Sequence, residues 1–526
     1  MKNKKSLYVL CSLNILRSAV LIAQAYFSKI LVDKAVNKTN NLTKYIYIYV
    51  LLVLLVVLLN LLFNVIKNRL SVSIEVGYKK GLYKKLINKE FNEIKKFHSG
   101  ELSNIYLTDV TNIRNAYVQT IPNIFLYLSR LLFATVALIF VAWRLLIILL
   151  IVGFVGFFGA RLYSRKLKKY QTKVLASDDK LNSYMSETIR NIKIVKAMNA
   201  TESLGSNLDI LANENYLIKE KRNRFSLIGN TGINSMLSLS YALALVYAVI
   251  QLRNGIFSYG DLILIVQLVS YFEGPFAALG GALNQLTKMS SSKDRINKIL
   301  SLKDEETSVN IDDFKKIEIK NISFSYDKQV YKDFSLTINK GDIINLRGAS
   351  GSGKTTLLSL LLGFIEPSKG TIEIITEEKT FNVSGRTRSL FSYVSQNNYL
   401  LSGNVLDNIK LFSPESTDEE IKEALSSAVI YDELMNKPHG LKTKMIEGNI
   451  GLSGGQIQRV MIAVALLLNK PIMLLDEFNS SLDYQTELKL VNNLKNLNKT
   501  LIIISHKSLS FTNMKNVRIG EENDSL

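Results

Sequence analysis

The sequence predicts an all-α domain of six transmembrane helices followed by an α/β domain built on a phosphate-binding loop. Long apolar runs crowd the stretch before about residue 300. Beyond it, strand-like alternation and helical periodicity take turns, as in an α/β domain. Between them stands Gly348-Ala349-Ser350-Gly351-Ser352-Gly353-Lys354-Thr355, a G-x-x-x-x-G-K-T loop whose amides cradle phosphates while Lys354 reaches the outer ones.

The six spans are expected at 7–30, 45–66, 121–141, 145–162, 228–252 and 262–283, each near the length of about 20 residues that a bilayer core requires. Short connections at 33–44, 142–144 and 253–261 alternate with long ones at 67–120 and 163–227. Trp143 sits at a short connection, where an amphipathic ring anchors an interface. The long connections are charged, helix-compatible and almost free of Pro and Gly, so they read as helices continuing into the cytosol.

The formal net charge is +20, but the Lys and Arg cluster between apolar runs, at 79–85, 95–96, 165–169 and 219–224. This is the bias of cytoplasmic loops, and it speaks against nucleic-acid binding. The single cysteine, Cys11, excludes a disulfide framework and a cysteine metal site within the chain. Residues 1–25 have the outline of a signal peptide, but Arg17 interrupts the apolar run. Six spans also place both ends of the domain inside, so the first is read as an uncleaved helix.

Charges within spans are costly and usually face the bundle interior or water. Arg17, Lys29, Arg130 and Glu273 are such positions. Glu273 precedes Gly274-Pro275, where a proline kinks the helix. Two readings stand for Arg130 and Glu273: they line a cavity and contact a substrate or each other, or Arg130 snorkels towards a helix end while Glu273 pairs structurally.

In the second half, strands at 317–326, 334–338 and 343–346 lead into the loop, and a helix from Thr356 follows, the context a phosphate loop needs. Four apolar residues, Ile472-Met473-Leu474-Leu475, end in Asp476 and Glu477, as a buried parallel strand ending in two carboxylates would. Leu452-Ser453-Gly454-Gly455-Gln456 precedes a helical run, so Ser453 and the glycine amides stand at a helix N-terminus suited to an anion.

The loop, the Leu-Ser-Gly-Gly-Gln string and the six spans resemble the type I ABC exporters over nearly the whole chain. The resemblance implies ATP and Mg²⁺, with Thr355 as a direct metal ligand and Asp476 holding the ion through water. It further implies Glu477 as general base, Gln396 of Tyr393-Val394-Ser395-Gln396 near the metal, and His506 on the γ-phosphate. Tyr326 would stack on adenine, Gly348, Ser350–Thr356 would hold phosphates, and Ser480-Ser481-Leu482-Asp483 matches the D-loop. Ser453, Gly454, Gly455 and Gln456 would close on ATP held by the loop of a second ATPase domain. Segments 97–110 and 186–197 resemble the intracellular loops that touch those domains. Ile446 and Asn449 replace usual glycines, and about twenty residues after His506 leave little room for C-terminal helices.

The domains are accordingly expected at 1–301 and 316–526, with a linker at 302–315. The implied function is ATP-driven export by a half-transporter in a bacterial cytoplasmic membrane, its ATPase domain and both termini cytoplasmic. With one loop and one signature per chain, a homodimer is the economical assembly, and a heterodimer is the alternative. The cargo reads as a peptide or hydrophobic drug. Alternatives of the same architecture are a lipid flippase, an ATP-gated channel and a regulatory membrane protein. Glu477 argues against those that lose the catalytic carboxylate, and the spans argue against a soluble ATPase.

Overall fold

The computed structural model of the protein describes all residues except 1, 39–41, 98, 307–308, 310, 327, 397, 446–450, 506–513 and 521–526. At 2–3, 99, 155–162, 164–165, 230, 233, 277 and 280 it describes the backbone alone. Two compact units emerge: Met1–Lys84 with Ser99–Leu300, and Lys85–His98 with Ser301–Leu526.

The first unit is helical: α1 (Lys2–Val36), α2 (Leu42–Ile87), α3 (Ile121–Arg190), α4 (Thr201–Arg253) and α5 (Tyr259–Leu300). Among the described residues, 5 helices are long and apolar enough to cross a membrane. The third and fourth expected spans share α3, separated by a single non-helical residue, Ala142, at φ −154° and ψ 64°. The turn expected over 142–144 is therefore compressed to that position. Apolar side chains such as Leu51, Leu54, Leu58 and Leu61 of α2 are exposed, the reverse of a water-soluble helix.

Inside the bundle, Leu138, Leu145, Ala244, Ala248, Leu264, Ile265, Leu268 and Phe272 pack together. The small alanines let helices approach closely. Polar contacts add register. Asn14 donates to the Pro122 carbonyl at 2.7 Å, and Ser129 donates to the Ser18 hydroxyl at 2.8 Å. Lys29 pairs with Asp261, and the Gly260 amide donates to Asp33 at 2.9 Å.

The segment ahead of α3 departs from α-geometry twice, in π-turns at Ile105–Asp109 and Ala116–Thr120. Buried Asp109 accepts from Ser292 at 2.8 Å and pairs with Arg295, fixing this irregular stretch to the end of α5. The far half of α3 runs antiparallel to α4. Tyr163 stacks on Phe225 at 5.3 Å, Asn215 donates to Ser177 at 3.2 Å, and Tyr184 donates to the Leu204 carbonyl at 3.0 Å. Between them lies a short helix, Ile192–Ala197, with Ile192, Ile194 and the following Met198 exposed.

In the second unit the strands are β1 (Lys316–Ser325), β2 (Gln329–Asn339), β3 (Ile343–Arg347), β4 (Lys369–Ile375), β5 (Thr380–Asn382), β6 (Phe391–Val394), β7 (Gly403–Asn404), β8 (Lys444–Met445), β9 (Ile472–Asp476), β10 (Thr500–Ile504) and β11 (Met514–Arg518). β1, β2, β4 and β5 form an antiparallel sheet. β11-β3-β10-β9-β6 form a parallel sheet in which two of the three inner strands, β9 and β10, are buried at every residue. Ile and Leu runs suit strands covered on both faces.

Part of the long connection after α2 belongs to this unit. The Lys89 ammonium, only 3% exposed, pairs with Asp304 at 2.6 Å and donates to the Leu302 carbonyl at 2.5 Å. The Glu90 amide donates to the Lys303 carbonyl, and Phe91 packs on Phe364 with ring centroids 4.8 Å apart. The short helix here is Phe91–Lys95, just upstream of the segment expected at 97–110.

Candidate functional site

Parallel pairing brings the carboxyl ends of the strands level: Leu346 beside Ile504, Ile504 beside Asp476, and Val394 beside Leu475. Loops leaving these ends share one edge, where open α/β sheets bind ligands. β3 runs into the glycine loop, β9 ends at Asp476, and Gln396 follows β6. His506 follows β10 but lies outside the described residues, as do Ile446 and Asn449.

The loop wraps onto the N-terminus of α6 (Lys354–Leu361). Gly353 stands at φ +105°, and a Cβ there would lie 2.4 Å from Val330, so only glycine fits. Tyr331 is buried and donates to the Gly353 carbonyl at 2.8 Å, and that burial pushes its phenol well up. Lys354, also buried, turns its ammonium onto the carbonyls of Gly348 (3.0 Å) and Ala349 (2.8 Å). Ser350 and Thr355 are exposed and Thr356 is half-buried, while the sealed Ser352 hydroxyl has no hydrogen-bond partner.

Asp476 is 1% exposed, and Thr355 Oγ1 lies 3.5 Å from its Oδ1, longer than an ordinary O–H···O bond of about 2.7 Å. Its other oxygen, Oδ2, has no hydrogen-bond partner. Burial raises the Asp476 carboxyl above its ordinary range, opposed by Thr355. Tyr393 faces it, its phenol pushed up to about 12 by burial and then by Asp476. An unsatisfied buried carboxylate oxygen beside a hydroxyl is a donor set that fits a hard, oxygen-seeking cation such as Mg²⁺.

Glu477 adopts φ +50°, uncommon outside glycine and frequent at functional positions. The surrounding structure enforces it: the Glu477 amide donates to the Ile504 carbonyl at 3.0 Å, and Gln458 donates to the Glu477 carbonyl at 3.0 Å. Gln396 Nε2 donates to Glu477 Oε2 at 2.8 Å. Tyr326 is 56% exposed, edge-on to Phe324.

Ser453 caps α7 (Gly454–Leu467) in a reciprocal box: its hydroxyl accepts from the Gln456 amide at 3.3 Å, and Gln456 Oε1 accepts from the Ser453 amide at 3.1 Å. The Gly454 and Gly455 amides belong to the orphan donors of that helix end. Gly455 allows close approach of the D-loop, since a Cβ would lie 2.7 Å from the Ser481 carbonyl. Among the described residues, no hydrogen bond or ion pair joins this segment to the glycine loop.

Three groups were missed by sequence reasoning. Gln458 carries its signal only as a polar residue on an apolar helix face. Arg459 is 6% exposed and grips Glu433 with two bonds of 2.6 and 2.9 Å, and Gln456 donates to the same carboxylate. Asn479 donates to Glu487 at 2.7 Å and accepts from Ser505 at 3.1 Å, tying the D-loop to α8 (Tyr484–Lys495) and to the end of β10. In the membrane unit, Arg130 and Glu273 do not pair: Arg130 lies over Tyr271, and Glu273 faces Ser240.

Fold and site thus define a membrane-spanning helical domain fused to a nucleotide-binding P-loop domain. The family model for the ABC transporter transmembrane region matches residues 7–276, and that for the ABC transporter matches 331–480; the chain belongs to the ABC transporter family. It is 37% identical over 269 residues to a probable ABC transporter ATP-binding/permease protein of Haemophilus influenzae, covering 50% of this chain and 48% of that one. It is 29% identical over 435 residues to a multidrug resistance ABC transporter ATP-binding and permease protein of Lactococcus lactis, covering 80% and 72%. With the mesentericin-Y105 transport/processing ATP-binding protein of Leuconostoc mesenteroides it shares 31% over 415 residues, covering 76% and 56%. The chain thus spans about half to three quarters of these relatives. A bacterial Atm1-family ABC exporter with ATP bound shares the fold, with a TM-score of 0.83 at 20% identity, covering 98% of this chain and 94% of that one.

Proposed function

We propose that two copies of this chain form an ATP-driven exporter that moves a peptide or hydrophobic drug out across the bacterial cytoplasmic membrane. The ATPase units and both termini lie on the cytoplasmic side. The observation that carries the reading is the cluster at the sheet's carboxyl edge. There the Gln396–Glu477 pair, Asp476 with its unsatisfied oxygen and the glycine loop converge.

ATP is the substrate of that edge. Loop amides and the N-terminus of α6 bind its phosphates, and Lys354 moves from its loop carbonyls to the outer ones. Thr355 and Asp476 would hold Mg²⁺, which supplies charge neutralisation to the phosphates when bound. Glu477 Oε2, oriented by Gln396, accepts the proton of the attacking water. Tyr326 offers its exposed ring to adenine. His506 would contact the γ-phosphate.

The Ser453-capped helix end receives the phosphates bound by the other copy. The exposed Ile192, Ile194 and Met198 of the second loop would dock on that copy's ATPase unit. The relatives' names, multidrug resistance in one and mesentericin-Y105 transport/processing in another, support the cargo class. The test is uptake of a labelled hydrophobic peptide into inside-out vesicles with ATP. ATP-dependent accumulation abolished by Glu477→Gln supports the reading, and accumulation without ATP, or unaffected by the substitution, contradicts it.

A further inference from the structure

The membrane unit carries an unbalanced cationic patch. Arg17 lies midway along the apolar run 7–30 of α1, and Arg130 midway along 121–141 of α3. Their chain neighbours touch, Ser129 Oγ lying 2.8 Å from Ser18 Oγ, which brings the two arginine-bearing positions side by side. α1 and α3 are held together beside them by Asn14, Ser18 and Ser129. Arg17 donates to Asn14 Oδ1 at 2.7 Å and lies over Phe63 at 5.2 Å, while Arg130 lies over Tyr271 at 5.9 Å. The Nε of each guanidinium is sealed from solvent without a partner.

No carboxylate among the described residues pairs with either arginine. Asp261 is already paired with Lys29. Glu273 stands two residues beyond Tyr271 on α5, about 200° around the helix, and faces Ser240 instead. Headgroups are also out of reach: half a bilayer core is about 15 Å, farther than a guanidinium on a three-carbon stem extends. Two neighbouring, half-buried cations midway along apolar runs without a counterion are costly unless an anion joins them.

We propose that Arg17 and Arg130 form a subsite for an anionic group, a carboxylate or phosphate, on the exported molecule. The inference rests on the export reading and narrows its cargo to apolar molecules bearing a negative charge. Tyr271 and Phe63 supply apolar and ring surface beside the charge.

Binding to the full-length protein in neutral-lipid nanodiscs, without ATP, tests it. The probes are dodecyl phosphate against dodecyltrimethylammonium, and an apolar hexapeptide as free acid against its C-terminal amide. The anionic member of at least one pair should bind tenfold or more tightly, with that advantage lost in Arg17→Gln and Arg130→Gln and partly restored in Arg17→Lys and Arg130→Lys. Preference confined to the alkyl phosphate assigns the subsite to lipid-like cargo, and preference confined to the peptide acid assigns it to a peptide terminus. Either supports the subsite. Equal binding within both pairs, as when carboxylates of a second copy already neutralise the arginines, overturns it. So does unchanged preference in the monodisperse variants. If the Gln variants fail to fold, equal binding by wild type and both Lys variants to all probes overturns it. ATP hydrolysis by the wild type is measured separately, because its absence would defeat the export reading while leaving this binding result intact.

Discussion

The side-chain amide of Gln396 donates to Oε2 of Glu477 across 2.8 Å, joining the residue after β6 to the carboxylate after β9. The two lie 81 positions apart in sequence and meet only because β6 and β9 are parallel neighbours. A side chain of one loop therefore orients the carboxylate of another, the group proposed above as the proton acceptor.

Removing the acceptor should cost more than removing its positioner. Glu477→Gln should lower phosphate release at saturating ATP by about 10²- to 10⁴-fold, the usual worth of a general base. Gln396→Ala should lower it by about 10- to 100-fold, the scale for a group that orients a reacting one. Equal losses in the two variants would show that Gln396 does more than orient.

Backbone strain at Glu477 gives a stability signature. With φ at +50°, glycine tolerates this position and alanine does not. Glu477→Gly should therefore be more stable than Glu477→Ala by about 1 kcal/mol, in thermal unfolding of the nucleotide-free protein. The reverse order would mean that the conformation relaxes when the carboxylate is lost.

The glycines of the loop are not equivalent. A Cβ at Gly351 meets nothing within 4 Å, so Gly351→Ala bears only the strain of φ +81°. Gly353→Ala adds a clash with Val330 at 2.4 Å. ATP binding measured with a fluorescent analogue should weaken severalfold in the first and fall beyond detection in the second.

Acid should weaken the ATPase unit through Glu433. Its hydrogen bond with Arg459 holds its carboxyl below the ordinary 4.5. A depressed value means stabilisation that is present above 4.5 and lost as pH falls through the folded-state value. Between pH 7 and 3.5, the melting temperature of Glu433→Gln should fall less steeply than that of the wild type.

Local chemistry made much of this legible in the sequence. Glycine-loop, carboxylate-pair and signature motifs sit on consecutive residues, and apolar runs announce spans without help from distant contacts. What escaped depends on long-range packing. Lys89 reads as one more loop cation, yet it is buried against Leu302 and Asp304, more than two hundred positions away. Gln458 is an ordinary polar residue until α7 packs beside β9 and brings it to the Glu477 carbonyl, and Asn479 until it accepts from Ser505 past the end of β10, 26 positions away. Arg130 and Glu273 were read together because both are charged, but helical phase turns them to different neighbours.

Completion of each site by the other copy is tested most directly with mixed dimers purified by two affinity tags. All chains carry Glu477→Gln to trap nucleotide. In one dimer, Lys354→Ala and Ser453→Arg sit on different chains; in the other, both sit on the same chain beside an otherwise unaltered partner. If the loop of one copy pairs with the signature of the other, the split dimer keeps one intact site and traps ATP, and the same-chain dimer traps none. ATP trapped by the same-chain dimer and not by the split one would contradict the account.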